Sequence, residues 1–342
     1  MEHNSFAYYK LPNETHFTYV GSHSAPLHIH DLSAITNEHS GFLIAPFNTR
    51  QNAILLISPE AEEQHRLPAP SPVHIPLKEE LETIDATYLQ HFEACKQLLQ
   101  NDVLQKVVLA HRFTETQEWT PDYRELFIHA ASSFPKCYVA LWHTPESGFW
   151  LTITPEVLLE STSTSNWHTV ALAGTMHKSS TQWSEKNKRE QQYVVDYITA
   201  ALQPHTKSIS HSEVQTIEAA QLKHLRTDFY FTPTTNVGAL LKELHPTPAV
   251  CGLPKNEAYS AIEQIETHSR KYYAGFSGPL QHHNTTHLYV TLRCAHWKQD
   301  AAVEYYAGGG LLKESVAADE WAEVNTKKQT AACIVTKHIS TI

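Results

Sequence analysis

The chain has 342 residues, 41% of them hydrophobic and 18% charged, which suffices for a large core and excludes disordered, collagen-like and coiled-coil proteins. Its 36 acidic and 26 basic residues give a formal charge of −10, which argues against a general nucleic-acid or anionic-membrane binder. No apolar stretch approaches the roughly 18 residues of a membrane span, the N-terminus lacks a signal peptide, and five scattered cysteines fit reduced thiols, so we expect a cytoplasmic protein.

Residues 1–78 form the N-terminal, strand-rich part of the predicted fold. Runs of β-branched and aromatic residues between polar turns predict four short strands, over residues 6–11, 16–20, 41–47 and 53–58. Four prolines then exclude a continuous helix or a central strand over 68–76. They predict an extended connector to the remaining region, residues 79–342.

Helices and strands alternate irregularly through residues 79–342. Apolar residues at three- and four-residue steps predict an amphipathic helix over 79–100. The other predicted helices cover 123–134, 184–202 and 318–338, and the predicted strands cover 103–113, 137–143, 149–154, 171–175, 287–293 and 302–307. Because this mixture lacks a regular βαβ period, it predicts an α/β protein of the α+β type, built as a single large domain.

Two ionisable residues lie beside apolar runs. Strand alternation puts Lys106 on one face with Val108, where a lysine either snorkels at a sheet edge or is held in a pocket. Glu156 follows Pro155 and precedes a strand-like run, as a surface acid or as a partly buried proton donor. The pattern alone leaves both alternatives open.

Carboxylates on two predicted helices could hold a metal ion. Helical spacing puts Glu320, Glu323 and Lys327 on one face, either as a solvated face with a Glu323–Lys327 ion pair or as ligands for a hard cation such as Mg²⁺. Glu190 lies on the helix that Ser184 caps, where its neighbours are polar. A solvated face is the plainer interpretation of that helix as well.

Glycine is scarce, with 11 copies, yet three are consecutive in AGGG, residues 307–310. This segment follows a predicted strand and lacks the spacing of a dinucleotide or phosphate-binding motif. We interpret it as a turn, used either as a tight bend or as exposed N–H groups that a carboxylate can approach.

Histidine is abundant, with 24 copies. The densest cluster comprises His282, His283 and His287, beside Asn and Thr before a predicted strand. A helix could present an i,i+4 pair to a metal, but helical spacing does not apply to a loop. The sequence therefore favours a solvated loop over a metal site.

Eight sequence blocks occur in the order seen in chorismate-utilising enzymes, which include isochorismate, anthranilate, aminodeoxychorismate and salicylate synthases. The blocks are KVVLAHR, TPEVLLE, ALAGT, EKNKREQQYVVDYI, LHPTPAVCGLP, ETHSRKYYAGFSG, VTLRC and YAGGGLLKESVAADEWAEVNTKK. The chain resembles this family over residues 80–338. The resemblance implies a two-layered α/β sandwich with a deep site between its layers.

The resemblance also implies roles for individual residues. Lys106 would be the general base that activates water, and Glu156 the general acid that protonates the departing hydroxyl. Glu190 and Glu323 would hold Mg²⁺, with Glu320 nearby. The residues expected around the substrate are Gly174, Thr175, His245, Thr247, Tyr273, Arg293, Gly308, Gly310 and Lys327.

The activity implied by this resemblance is Mg²⁺-dependent isochorismate synthesis, in which water adds to C2 of chorismate as the C4 hydroxyl leaves. Salicylate synthase, which then eliminates pyruvate, is the nearest alternative; an anthranilate synthase component I-like subunit and a non-catalytic chorismate-binding homologue are more remote. Lys106 favours water over ammonia, so we expect no glutaminase partner, and we expect a monomer. The sequence departs from the family pattern at His111, Asn187 and Gln191, and the pathway served, menaquinone or siderophore, stays open.

Overall fold

The computed structural model describes residues 3–71, 73, 83–116, 120–163, 165–219, 222–298 and 302–339. Two antiparallel sheets dominate it. The first has the strand order β15 (Gly252–Leu253), β7 (Lys106–Thr116), β19 (Ala302–Leu311), β18 (Cys294–Lys298), β9 (Gly148–Thr154), β8 (Tyr138–Thr144), β1 (Ser5–Lys10), β2 (His16–Ser22), β6 (Ala61–Arg66).

The second sheet has the order β12 (Thr206–His211), β14 (Leu222–Pro233), β11 (Trp167–His177), β10 (Val157–Ser161), β17 (Thr286–Val290), β16 (Phe276–Leu280), β4 (Gly41–Ala45), β5 (Ile54–Ile57), β3 (Leu27–Ile29). An additional strand, β13 (Gln215–Ala219), pairs with β14. Strands from residues 1–78 thus form one edge of each sheet, beside strands from the rest of the chain.

In the described part of the chain, six α-helices connect and cover the sheets. They are α1 (Ala86–Gln100), α2 (Tyr123–Ser133), α3 (Glu185–Leu202), α4 (Val237–Leu244), α5 (Lys255–Ile265) and α6 (Ala317–Ile339), with short 3-10 helices at Leu32–Ala34 and Gln203–His205. Side chains of Asp85, Asp122, Ser184 and Asn236 accept hydrogen bonds from backbone N–H groups in the first turns of α1 to α4. These caps satisfy donors that have no partner inside the helix.

The core has two parts because alternate residues of a strand face opposite sides of the sheet. On β8, Trp142 joins the larger cluster between the sheets, whereas Leu141 joins a second cluster beneath α2 and α6. Tyr138 of the first sheet stacks on Tyr289 of the second with ring centroids 4.3 Å apart. The α+β class and the layered arrangement expected from the sequence are confirmed. Among the described residues, no helix combines the length and apolar character needed to cross a membrane.

Two sequence-based expectations about elements need correction. The helix expected over 79–100 begins only at Ala86 in the described part of the chain, because Asp85 caps it; residues 79–82 lie outside the described residues. The AGGG segment is not a turn, because residues 307–310 lie inside β19 in continuous register with His111 to Val108 of β7.

Candidate active site

A cleft lies between the two sheets. It is lined by β7 and β19 of the first sheet, by β11 and β14 of the second, and by side chains of α3 and α6. Nine of the residues expected from the sequence line it: Glu156, Gly174, Thr175, Glu190, Tyr273, Arg293, Gly308, Gly310 and Lys327. Residues far apart in the chain are therefore brought to one cavity.

Lys106 begins β7 and is completely buried. Its Nζ atom lies 3.0 Å from Oε1 of Glu190 on α3. A Cβ atom at Gly310 would lie 2.1 Å from that carboxylate oxygen and 3.1 Å from Cε of Lys106, so only glycine leaves space for the pair. Of the two alternatives for Lys106, the structure has the pocket and excludes snorkelling at an edge.

Glu156 lies just before β10 and is also buried. Burial raises the pKa of its carboxyl group to about 7, although the positive charges of Lys106, Lys327 and Arg293 oppose the shift. A carboxyl group with this pKa is protonated in a substantial fraction of molecules at neutral pH. Glu156 is therefore suited to donate a proton inside the cavity.

Arg293 presents a guanidinium group to the same cavity. Its backbone has a φ of +47°, and its side chain is buried, which lowers the pKa of the group from its usual value. Nη2 contacts Nε2 of His224 at 2.7 Å, while Nη1 has no hydrogen-bond partner among the described residues. A buried guanidinium with a free donor is suited to bind a carboxylate.

His224, on β14, is a site residue that the sequence analysis missed. Its Nδ1 atom lies 3.2 Å from the carbonyl oxygen of Gly174, which can only accept, so Nδ1 carries the proton and Nε2 accepts from Arg293. Burial, together with the charges of Arg293 and Lys327, holds the pKa of His224 well below its usual value and keeps the ring neutral. The high histidine content of the chain conceals this one position in the sequence.

Three carboxylates face three lysines beside the cavity. Glu190 pairs with Lys106, Glu320 with Lys186, and Glu323 with Lys327 at 2.7 Å. Burial and the neighbouring charge of Glu323 raise the pKa of Glu320 to about 7, against the opposing charge of Lys186. Glu320 and Glu323 repel each other, and a carboxylate pair of this kind suits a hard divalent cation. The oxygens of Glu190, Glu320 and Glu323 do not all lie within 4.8 Å of one another. Lys186 was not anticipated as a site residue, because nothing singles it out from the other polar residues of the EKNKREQQYVVDYI block.

The glycine at 174 shapes the opposite wall of the cavity. Gly174 has a φ of +67° at an irregularity between β11 and β14. Asn187 donates from Nδ2 to the carbonyl oxygen of Thr175, and Gln191 bonds both the Ala171 carbonyl and the Ala173 N–H. The two α3 residues that depart from the family pattern therefore hold the backbone that carries Gly174 and Thr175.

Three other residues discussed from the sequence lie away from the cavity wall. His245 places Nε2 3.0 Å from the Pro46 carbonyl oxygen, and the Thr247 carbonyl accepts from the N–H groups of Val250 and Cys251. Neither side chain lines the cleft. Lys106, Glu320 and Glu323 do not line it either, but Lys106 contacts the lining residue Glu190 and Glu323 contacts the lining residue Lys327. His111 packs against Tyr88, Phe113 and Trp321.

The histidine cluster is remote from the cleft and only partly matches the expected solvated loop. His283 is exposed, but His282 and His287 are largely covered. His287 contacts Glu160, whereas His282 and His283 contact Glu62.

The fold and the cleft together define a class of site. A protonatable carboxyl group, a guanidinium and the carboxylate of Glu190, which pairs with the buried Lys106, line one cavity. This arrangement suits acid–base chemistry on a small anionic molecule.

Comparison with known proteins narrows this class. A family model described as "Chorismate binding enzyme" matches residues 38–334, and the chain belongs to this family. Isochorismate synthase MenF from Haemophilus influenzae is 27% identical over 269 residues, which cover 75% of this chain and 62% of that protein. The chain thus spans less than two thirds of the length of this curated relative.

Solved structures share the fold along nearly the whole chain. A putative 2,3-dihydroxybenzoate-specific isochorismate synthase, DhbC from Bacillus anthracis, superposes with a TM-score of 0.82 at 23% identity, covering 97% of this chain and 96% of that one. MenF, the menaquinone-specific isochorismate synthase from Escherichia coli, gives 0.80 at 20% identity, covering 98% and 89%.

Proposed function

We propose that this protein is an isochorismate synthase, which converts chorismate to isochorismate by adding water at C2 and losing the C4 hydroxyl. The observation that carries the proposal is the pair Glu156, a buried acid that lines the cleft, and Lys106, a buried lysine that contacts the cleft residue Glu190. The names of the relatives described above support it.

The two side chains account for both proton transfers of this reaction. Lys106, in its neutral form, takes a proton from the water whose oxygen bonds to C2. The ring double bonds shift, the C4–O bond breaks, and Glu156 donates its proton so that the hydroxyl leaves as water. One proton is gained and one is lost by the protein, so the reaction is an isomerisation with no redox change.

The charges of the cleft suit a dianion in a protein with a net negative charge. Arg293 offers the free Nη1 donor to one carboxylate, and its position is fixed by His224. Lys327 lines the same cleft and donates to the Gly308 carbonyl. Concentrating cationic groups in a covered cavity strengthens their attraction for an anion relative to the surface.

We further propose that Glu190, Glu320 and Glu323 hold Mg²⁺. Their oxygen donors and the mutual repulsion that raises the pKa of Glu320 support this assignment. When bound, the ion supplies positive charge that binds and polarises a carboxylate of the substrate.

The Lys106 base and the cysteines also bear on the subunit composition and the cellular compartment of the protein. Lysine as the base favours water over ammonia, so no glutaminase subunit is required. All five cysteines are buried, which fits thiols in a reducing compartment, and we propose a cytoplasmic monomer. Light scattering of the purified protein tests the monomer, and a dimer mass would contradict it.

Incubation of the full chain with chorismate and Mg²⁺ tests the activity. Chromatography should detect isochorismate, and the Lys106→Ala variant should bind chorismate but form no product. Release of pyruvate, detected with lactate dehydrogenase, would instead identify a salicylate synthase. Anthranilate formed with ammonium, or unchanged turnover in Lys106→Ala, would overturn the proposal.

A further inference from the structure

Two neighbouring histidines and one glutamate from different sheets converge outside the active site. His282 and His283 lie in the turn between β16 and β17 of the second sheet, and Glu62 lies on β6 at the edge of the first. Nε2 of His282 is 3.0 Å from Oε2 of Glu62, and Nε2 of His283 is 3.0 Å from Oε1 and 3.2 Å from Oε2. The three ligand atoms all lie within 4.8 Å of one another.

The backbone turns both imidazoles towards the same point. Consecutive side chains of an extended chain point to opposite sides, but Gln281, His283 and Asn284 have φ values of +45°, +50° and +62°. This left-handed backbone brings the two rings to one side, with centroids 4.2 Å apart. The non-glycine residues adopt a conformation that is rare for such side chains, so the convergence is built into the turn.

Hydrogen bonds hold the turn in place before any ligand binds. The His282 carbonyl accepts from both the N–H and the hydroxyl of Thr285. Gln281 donates its N–H to the Thr286 hydroxyl, and its side-chain amide donates to the Thr36 carbonyl. A fixed turn reduces the entropy that a ligand must overcome to order its site.

The ligand chemistry favours an ion of the zinc class over Mg²⁺. Two imidazole nitrogens and one carboxylate suit Zn²⁺, Cu²⁺ or Ni²⁺, whereas Mg²⁺ prefers oxygen ligands. Tetrahedral Zn²⁺ with ligand bonds of about 2.0–2.1 Å places neighbouring ligand atoms about 3.3 Å apart, close to the distances between Glu62 and the two rings.

We propose that Glu62, His282 and His283 form a binding site for a zinc-class divalent ion, with a water molecule completing the coordination. The ion would connect edge strand β6 of the first sheet to the β16–β17 turn of the second. It would replace the hydrogen bonds through which the two histidines now contact the carboxylate. None of the three residues lines the candidate active site, and the proposal does not depend on the proposed function.

Zn²⁺ and Co²⁺ are the probes for this site. Tag-free full-length protein is titrated in excess Mg²⁺, which occupies the carboxylate cluster, and bound Zn²⁺ is counted after dialysis. We expect one Zn²⁺ per chain, visible Co²⁺ absorption bands that Zn²⁺ abolishes, and a higher melting temperature with Zn²⁺. His283→Ala should lose the bound ion, the absorption bands and the rise in melting temperature, and so should Glu62→Gln.

A matched control lies on the same strand. His65 and Glu63 form another histidine–glutamate pair, with Nε2 2.9 Å from Oε2, but have no second histidine. The double variant Glu63→Gln/His65→Ala should keep the bound ion. The His283 side chain is exposed, so equal melting temperatures of wild type and His283→Ala in chelator would show that the fold is intact. Zn²⁺ binding that is equal in wild type and His283→Ala, or equally lost in the control, would overturn the proposal and leave ordinary ion pairs.

Discussion

Two carboxyl groups at opposite ends of β10 have opposite electrostatic behaviour. Glu156 and Glu160 both experience burial, which raises a carboxyl pKa, yet the pKa of Glu156 rises to about 7 while that of Glu160 falls far below its usual value. Glu160 accepts hydrogen bonds from His168, His287 and Tyr289. No hydrogen bond reaches the Glu156 carboxylate from the part of the chain that the structure describes.

The histidines near the two carboxyl groups differ in the same way. Burial lowers the pKa of His168, but hydrogen bonds to Asp228 and Glu160 outweigh it and raise the value. His224 faces Arg293 and stays neutral. Burial affects all of these groups, so it does not explain the difference. A group with direct hydrogen bonds to a charged partner belongs to a structural ion network, whereas a buried group without such bonds can exchange a proton.

The largest expected effect is the loss of catalysis in Glu156→Gln. The variant keeps the shape of the side chain but has no proton to donate, so isochorismate formation should fall by about 10²–10⁴-fold. Chorismate affinity should stay close to that of the wild type, as measured by calorimetry.

Glu160→Gln is the matched variant, and its turnover should stay within a few-fold of the wild type. In the wild type, turnover should decline as the pH rises through about 7, where Glu156 loses its proton. Equal losses in the two variants would remove the distinction between the two carboxyl groups.

Stability should respond in the opposite order. Glu160→Gln weakens the hydrogen bonds from His168, His287 and Tyr289 and should lower the free energy of unfolding by about 1–3 kcal/mol, measured with urea. Glu218→Gln breaks only an exposed ion pair with Lys178 and should change it by about 0.5 kcal/mol or less. Equal stability of the two variants would contradict a structural role for the Glu160 network.

His224→Ala should weaken chorismate binding while leaving the acid and base in place. Without the ring, Arg293 loses the acceptor that fixes Nη2, and KM should rise about tenfold with a smaller change in kcat. His224→Gln, which can still accept from the guanidinium group, should recover part of the loss. A fall in kcat with unchanged KM would mean that His224 acts in the chemistry and not in positioning Arg293.

The raised pKa of Glu156 should also appear in the pH dependence of stability. Glu156 binds its proton more tightly when folded, so its contribution to stability falls as the pH rises from about 4.5 to about 7. Glu160 stabilises the fold above its ordinary pKa of 4.5, and that contribution is lost as the pH falls through its lower folded value. From pH 5 to pH 8, Glu156→Gln should gain about 2.5 kcal/mol relative to wild type in urea unfolding. An unchanged pH slope would refute the raised pKa of Glu156.

Local patterns predicted local structure well. Ser184 caps α3 as expected, and Glu323 pairs with Lys327 one turn later on α6. Helical and strand periodicity identifies such features because their causes lie within a few residues. The membership in a family, and most of the residues that line the cleft, followed from the ordered blocks.

The features that the sequence did not predict depend on distant partners. Whether Lys106 is buried or snorkels depends on Glu190 of α3, and the orientation of Arg293 depends on His224 of β14. The AGGG segment was misjudged as a turn because glycine usually indicates a turn. Here it leaves space beside a strand for side chains that arrive from helices.

The glycines of β19 therefore determine which parts of the molecule tolerate mutation. In a saturation-mutagenesis library, Gly310 should accept no residue, even though strand β19 would gain β-propensity from most replacements. A side chain there would occupy the position of Glu190 Oε1 and displace the carboxylate that Glu190 extends from α3. The space at Gly310 is thus set by the Glu190 carboxylate from α3 and the Lys106 side chain from β7, and the constraint on this position comes from that pair more than from the backbone of the glycine itself.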